Sequence, residues 1–208
     1  MPKAFVPLHG QPLLWHCVRG LLASGLVETV VVAVDERYHD HARAAIANSE
    51  GHVRIVSGGE HRAASVRAAL RAVPEADVVL VHDAARCLAP VSVIQAVARA
   101  VLAGQRAVVP VLPVVDTIKR VDPDGQVIST LDRSVLRVVQ TPQGFAADLL
   151  RRAHQMPSGP VTDDAGLVEA LGVRVSTVLG HPHAFKITNP FDLVIAELVA
   201  GARTISQA

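Results

Sequence analysis

The chain has 208 residues, 50% of them hydrophobic and 19% charged, with 20 Lys and Arg against 19 Asp and Glu. That length fits one domain with a core of its own, and the hydrophobic share excludes a disordered chain. A net charge of +1 and only 3% aromatic residues exclude a duplex-DNA binder and a single-strand binder built on stacking rings, so no nucleic-acid partner is expected.

In chain order, an apolar stripe predicts a first helix over 11–23, closed by Gly25. The β-branched run 29–34 reads as a strand buried on both faces and ending at Asp35. A helix over 36–48, a strand over 53–57 ending at Gly58-Gly59 and a helix over 61–73 follow. The run 77–81 reads as another buried strand and leads into His82-Asp83. A helix over 91–103 and a strand over 107–114 repeat the pattern. Strands alternating with helices of 10–15 residues predict an α/β fold with a doubly wound, mostly parallel sheet.

One segment breaks the rhythm: 117–121 and 126–130 flank Asp122-Pro123-Asp124-Gly125, the signature of a β-hairpin. Its strands are short and polar, and an isolated hairpin is marginal in water. It either projects as an arm onto another subunit or folds back on its own domain. Beyond it lie a strand over 135–140, a turn at Thr141-Pro142-Gln143-Gly144 and a helix after Phe145. A loop rich in Pro and Gly leads to a helix over 163–171, capped by Thr162 and stopped by Gly172. Strands over 174–179 and 185–188 precede a last helix that starts at Pro190 with Asn189 as its cap. The chain reads as a single domain, 1–208, with an arm at about 115–135.

Cys17 and Cys87 have no metal-ligand spacing and read as buried fillers in a reducing compartment. Residues Met1 to Gly10 hold no signal-peptide core and no apolar run reaches a membrane span of about 20 residues. A cytoplasmic protein with no membrane partner is expected.

Ligands of doubly wound sheets bind beyond the carboxyl ends of the parallel strands. Gly58-Gly59 before a helix suits close approach of an anion, or is a plain tight turn. Asp83 after a buried strand is placed to hold a divalent cation carrying a polyphosphate, with Arg86 as a phosphate fork; as a cap it would need no ligand. Arg62 either faces that ligand or lies on a solvated helix face. Lys186, in an apolar segment, sits near a ligand anion or snorkels at an edge. The ten histidines form no metal-binding pattern.

Eight motifs in order resemble the 2-C-methyl-D-erythritol 4-phosphate cytidylyltransferases. They are Pro2-Lys3-Ala4-Phe5, Gly58-Gly59-Glu60-His61-Arg62-Ala63-Ala64-Ser65, Val81-His82-Asp83-Ala84-Ala85-Arg86 and Asp116-Thr117-Ile118-Lys119. Asp132-Arg133, Thr141-Pro142-Gln143-Gly144-Phe145, Thr162-Asp163-Asp164-Ala165 and Phe185-Lys186-Ile187-Thr188 complete the set. The resemblance implies a nucleotidyltransferase fold, a homodimer joined by the β-arm, and attack of a polyol phosphate on CTP with Mg²⁺ as the divalent cation. By the same motifs, Lys3 would neutralise charge on the CTP phosphates and Asp83 would bind Mg²⁺. Gly58, Gly59 and Ser65 would line the cytidine site. Arg133 and Lys186, with Arg86, Thr117 and Thr162, would position methylerythritol phosphate.

Family members place a strand and a glycine-rich loop before the Pro-Lys motif, and this chain opens at Met1-Pro2-Lys3 without them. Two readings stand: an artificial start of a longer protein, or a truncated and catalytically impaired homologue. Cytidylyl transfer to another polyol phosphate, such as ribitol 5-phosphate, is the competing reaction.

Overall fold

The computed structural model describes residues 2–47, 49, 51–156 and 162–205. A small hairpin, β1 (Pro7–Leu8) and β2 (Gln11–Pro12), precedes α1 (Leu13–Leu22). Then come β3 (Thr29–Val34), α2 (His39–Ile46), β4 (His52–Ser57), α3 (Arg62–Arg71), β5 (Val78–Val81), α4 (Val91–Leu102) and β6 (Ala107–Pro113). The arm is β7 (Lys119–Val121) and β8 (Val127–Thr130). β9 (Arg137–Val139), β10 (Gln143–Ala146), α5 (Ala147–Gln155), α6 (Asp164–Glu169), β11 (Ser176–Leu179) and α7 (Pro190–Ile205) complete the chain.

The helices form where the apolar spacing says they should. In α4, Val93, Ile94, Val97, Ala98 and Val101 are buried, a stripe of period 3.6, and Pro90 stands just before the first turn. In α7, Asn189 Oδ1 accepts from the Asp192 N–H at 3.0 Å, as expected of an N-cap. The predicted cap of α6 needs correction. Asp163, not Thr162, accepts from the Gly166 N–H at 3.0 Å. The predicted end of the second helix, Asn48, lies outside the described residues, as does the Pro- and Gly-rich loop over 157–161.

The sheet is α/β but only partly parallel. The main sheet runs β11-β6-β10-β5, with β9 on the far part of β6. β11 is parallel to β6, whereas β10 is antiparallel to both β6 and β5, and β9 is antiparallel to β6. β3 and β4 form a separate parallel pair. The strand that reverses the sheet, β10, starts inside the segment read as a turn. The expectation that the third and fifth strands are buried on both faces also needs correction. Val30 and Val32 of β3 are buried, but its other residues and all of β5 are only partly covered. Each has a single strand neighbour among the described residues, so one edge of each strand is left without a strand partner.

Two apolar clusters support these layers. One packs α1 and α2 against β3 through Leu13, Leu14, Val18, Ala42 and Val32. The other packs α5 and α6 on β6 and β10 through Phe145, Leu149, Leu150, Leu167 and Val168. Burying Phe145 fully contributes roughly 1.5–3 kcal/mol by area alone. The arm stands apart: Val121, Val127 and Ile128 are 51%, 61% and 54% exposed, so it is not folded back on its own domain.

Candidate active site

β5 delivers His82 and Asp83 to its carboxyl end, where a single 3₁₀ turn over Ala84–Arg86 follows. Three-residue spacing in such a turn stacks side chains one above the other. It brings Arg86 Nε to 4.0 Å from Asp83 Oδ2. A second extended segment, 185–188, lies across the turn: the Ile187 N–H donates to Ala85 O at 2.9 Å and Arg86 Nη1 donates to Ala184 O at 2.8 Å. That crossing carries Lys186 Nζ to 2.9 Å from Asp83 Oδ2. Residues 185–188 are therefore not the predicted strand. Their hydrogen bond goes to a turn, which leaves the lysine free to point along the sheet edge.

Arg62, at the start of α3, approaches from the other side. Its Nε donates to Asp83 Oδ1 at 3.4 Å and its Nη1 donates to Asp164 Oδ2 at 2.5 Å. Asp83 thus sits among three cations. Burial pushes its carboxyl upward, but Lys186 first, then Arg62 and Arg86, outweigh burial and hold it below the usual range. Burial also pushes the Arg86 guanidinium down, only partly offset by Asp83.

The backbone of this corner is fixed by Thr141. Its hydroxyl oxygen accepts from the Asp83 N–H at 3.0 Å and lies 2.8 Å from His82 Nδ1. Burial pushes the His82 pKa down to about 4, so the imidazole is neutral at pH 7. Gln143 bridges the sheet to α6: its Nε2 donates to Asp163 Oδ2 at 2.7 Å and its Oε1 accepts from the Ala165 N–H at 3.2 Å.

The result is an open cleft of about 220 Å³ whose walls include Arg62, Asp83, Arg86, Gln143, Thr162 and Lys186. Four residues predicted from sequence therefore converge: Asp83, Arg86, Thr162 and Lys186. Gly58, Gly59 and Ser65 do not line it; they sit at the entrance to α3, where Ser65 Oγ accepts from the Gly59 N–H at 3.1 Å. Gly59 is required by packing, since a Cβ there would overlap the Ala64 methyl. Lys3 does not line the cleft; its Nζ donates to Thr188 O at 2.8 Å, at the end of the 185–188 segment. Thr117 and Arg133 also lie outside it, on the arm, where Arg133 Nη1 donates to Val115 O. Asp35, at a third strand end, only caps the turn after β3 and pairs with Arg37 at 2.7 Å.

Sequence reasoning left Arg62 undecided and did not single out Thr141, Gln143 or Asp164. The two carboxylates after Thr162 were the available signal, one capping the helix and one turned inward.

The donors decide which metal could be held. Among the described residues no three His, Cys, Asp or Glu converge. Asp83 is a lone carboxylate facing cations, which fits a hard ion that brings most of its ligands as substrate oxygens and water rather than a resident structural metal.

The chain was compared with known proteins. Residues 1–201 match the family model for 2-C-methyl-D-erythritol 4-phosphate cytidylyltransferase. A protein of that name from Saccharopolyspora erythraea is 56% identical over 203 residues, spanning 96% of this chain and 91% of the relative. One from Rhodococcus opacus is 55% identical, spanning 94% of this chain and 85% of the relative. The crystal structure of the Thermus thermophilus protein of that name is 38% identical, with a TM-score of 0.80 over 96% of this chain and 94% of that one.

Proposed function

We propose a reaction for the cleft on one premise: the chain belongs to the 2-C-methyl-D-erythritol 4-phosphate cytidylyltransferase family. It transfers the cytidylyl group of CTP to 2-C-methyl-D-erythritol 4-phosphate. A phosphate oxygen of the acceptor attacks the α-phosphorus, the bond to the bridging oxygen of the β-phosphate breaks, and pyrophosphate leaves. The product is 4-diphosphocytidyl-2-C-methyl-D-erythritol. Such a transfer needs in-line positioning and charge neutralisation, not a covalent nucleophile.

The observation that carries this reading is the convergence of Lys186, Arg62 and Arg86 on Asp83 at the end of β5. Arg62 and Lys186 turn cationic groups toward a cleft that would receive two phosphorylated substrates, and Thr162 lies on the acceptor side. Asp83 would hold Mg²⁺, which when bound supplies a Lewis acid that screens the CTP phosphates. Arrival of those phosphates would draw Lys186 off Asp83, opening the carboxylate to the cation that accompanies them. Lys3, tied to Thr188, would swing its ammonium to the outer phosphates. Gly58, Gly59 and Ser65 would border the cytidine.

The arm assigns the remaining residues. Its exposed Val121 and Val127, paired across the two strands, and Ile128 are apolar side chains suited to a second copy of the chain, and Thr117 and Arg133 flank them. In a homodimer these two would reach the acceptor phosphate in the partner's cleft. Cys17 and Cys87 are buried and not joined in a disulfide, which suits the reducing cytoplasm. Among the described residues no helix is long and apolar enough to cross a membrane.

The test is release of pyrophosphate from CTP, with and without Mg²⁺, offered methylerythritol phosphate or ribitol 5-phosphate. Metal-dependent release with the first acceptor in clear preference to the second is expected. Release that ignores the metal, or that favours ribitol 5-phosphate, would overturn the assignment.

A further inference from the structure

No step above uses the buried pair behind the cleft. Asp164, the first residue of α6, is fully buried, and so is the side chain of His154 near the end of α5. His154 Nε2 donates to Asp164 Oδ1 at 2.8 Å, while Asp164 Oδ2 accepts from Arg62 Nη1 at 2.5 Å. The other ring nitrogen of His154 has no hydrogen-bond partner. Arg62 then stands between two carboxylates, at 2.5 Å from the buried one and 3.4 Å from Asp83.

We propose that His154 and Asp164 are positioning residues, which hold Arg62 to a single long contact with Asp83 Oδ1 and so leave that oxygen easy for the divalent cation to take. The inference rests on the reading of Asp83 as the cation-binding carboxylate. A guanidinium offered two carboxylates settles on the one less screened by water, and here that is Asp164. His154 donates to one oxygen of that carboxylate, which fixes its plane so that the other faces Arg62. Outer partners of this kind orient a metal-binding group and change metal affinity without touching the metal.

Were Asp164 uncharged, Arg62 would keep only Asp83 as an acidic partner and could close on it with two parallel hydrogen bonds. Lys186 already pairs with the other oxygen, so an incoming cation would have to displace a two-bond fork instead of the single 3.4 Å contact. A purely structural tie between α3, α5 and α6 is the rival account. Buried ion pairs contribute little net stability compared with apolar packing. The three helices are already joined through Leu70, Leu149, Leu150, Leu167 and Val168.

The test is calorimetric binding of a CTP analogue with a methylene bridge between the α- and β-phosphorus, in Mg²⁺ and again in EDTA. The quantity read is the gain in affinity that the metal confers. Asp164→Asn is expected to lose about tenfold of that gain while metal-free affinity stays within about twofold. The double variant Asp164→Asn with Arg62→Met is expected to recover the gain, because the competing guanidinium is gone. Equal losses with and without metal, or a double variant as impaired as the single, would overturn the proposal. Should Asp164→Asn not fold, Arg62→Lys keeps the pair with Asp164 but cannot fork onto Asp83. Its metal-dependent gain should equal or exceed the wild-type value, and a loss would overturn the proposal. A wild-type protein with no metal-dependent gain would instead overturn the assignment of Asp83 itself.

Discussion

The cleft and the arm are built on opposite plans. In the cleft, each charged side chain is held by others of the same chain: Asp83 by Lys186 and Arg62, Arg62 by Asp164, Asp164 by His154. On the arm, Arg133 leans on one backbone carbonyl and the apolar residues of β7 and β8 face solvent. The difference teaches which functions are self-contained. On the proposed reading the cleft gathers most of its phosphate-facing charges within one chain, whereas the exposed apolar residues of the arm await a second copy.

Four experiments sharpen or break that contrast. The largest effect is expected from Asp83→Asn, which removes the carboxylate all three cations share. It should lower kcat/KM by about 10²–10³-fold, with only a small shift in the urea midpoint. Near-normal turnover would break the contrast at its centre. Arg133→Ala should cost about 10–100-fold in turnover, an effect of lost positioning. Mixing it with inactive Asp83→Asn protein should restore part of the activity, because one mixed site then has an intact cleft and an intact arm. No recovery would mean that the arm serves its own chain.

The third effect is on stability. His82 has a folded pKa of about 4, below the value of 6.5 for a free imidazole. The unfolded chain therefore takes up its proton first, and stability present in full above pH 6.5 falls as the pH drops toward 4. The loss should reach about 3 kcal/mol. Urea titrations across that range should show a gentler slope for His82→Gln; identical slopes would place the acid sensitivity elsewhere. The smallest effect is expected from Asp35→Asn. Its carboxyl is held at about 2 by Arg37, but the pair is exposed and local. Neither turnover nor thermal midpoint should move, and a loss of CTP binding would extend the site to β3.

Much of this was legible in the sequence, for reasons that can be located. β-branched runs and helical stripes placed the alternating elements, because those patterns act within a few residues. Asp83, Arg86 and Lys186 were legible because charged residues next to apolar runs must lie at strand or segment ends. β10 was not. Gln143 and Gly144 look like turn residues, but Gly144 is there because a Cβ would press on Val97 and Val101 of α4. Its glycine records a close helix above a central strand. The Arg62–Asp164 pair was hidden for a different reason: its members are 102 positions apart and meet only once three helices have packed.

The charges that line and back the cleft also bear on how substrates arrive. Three cations, Arg62, Arg86 and Lys186, are matched by three carboxylates, Asp83, Asp163 and Asp164. The cleft is therefore close to electrically neutral, and it projects little long-range attraction toward a polyphosphate. Capture depends on exchanging ion pairs at contact distance rather than on steering through solution. Raising the ionic strength should consequently slow substrate association far less than it would for a bare basic groove.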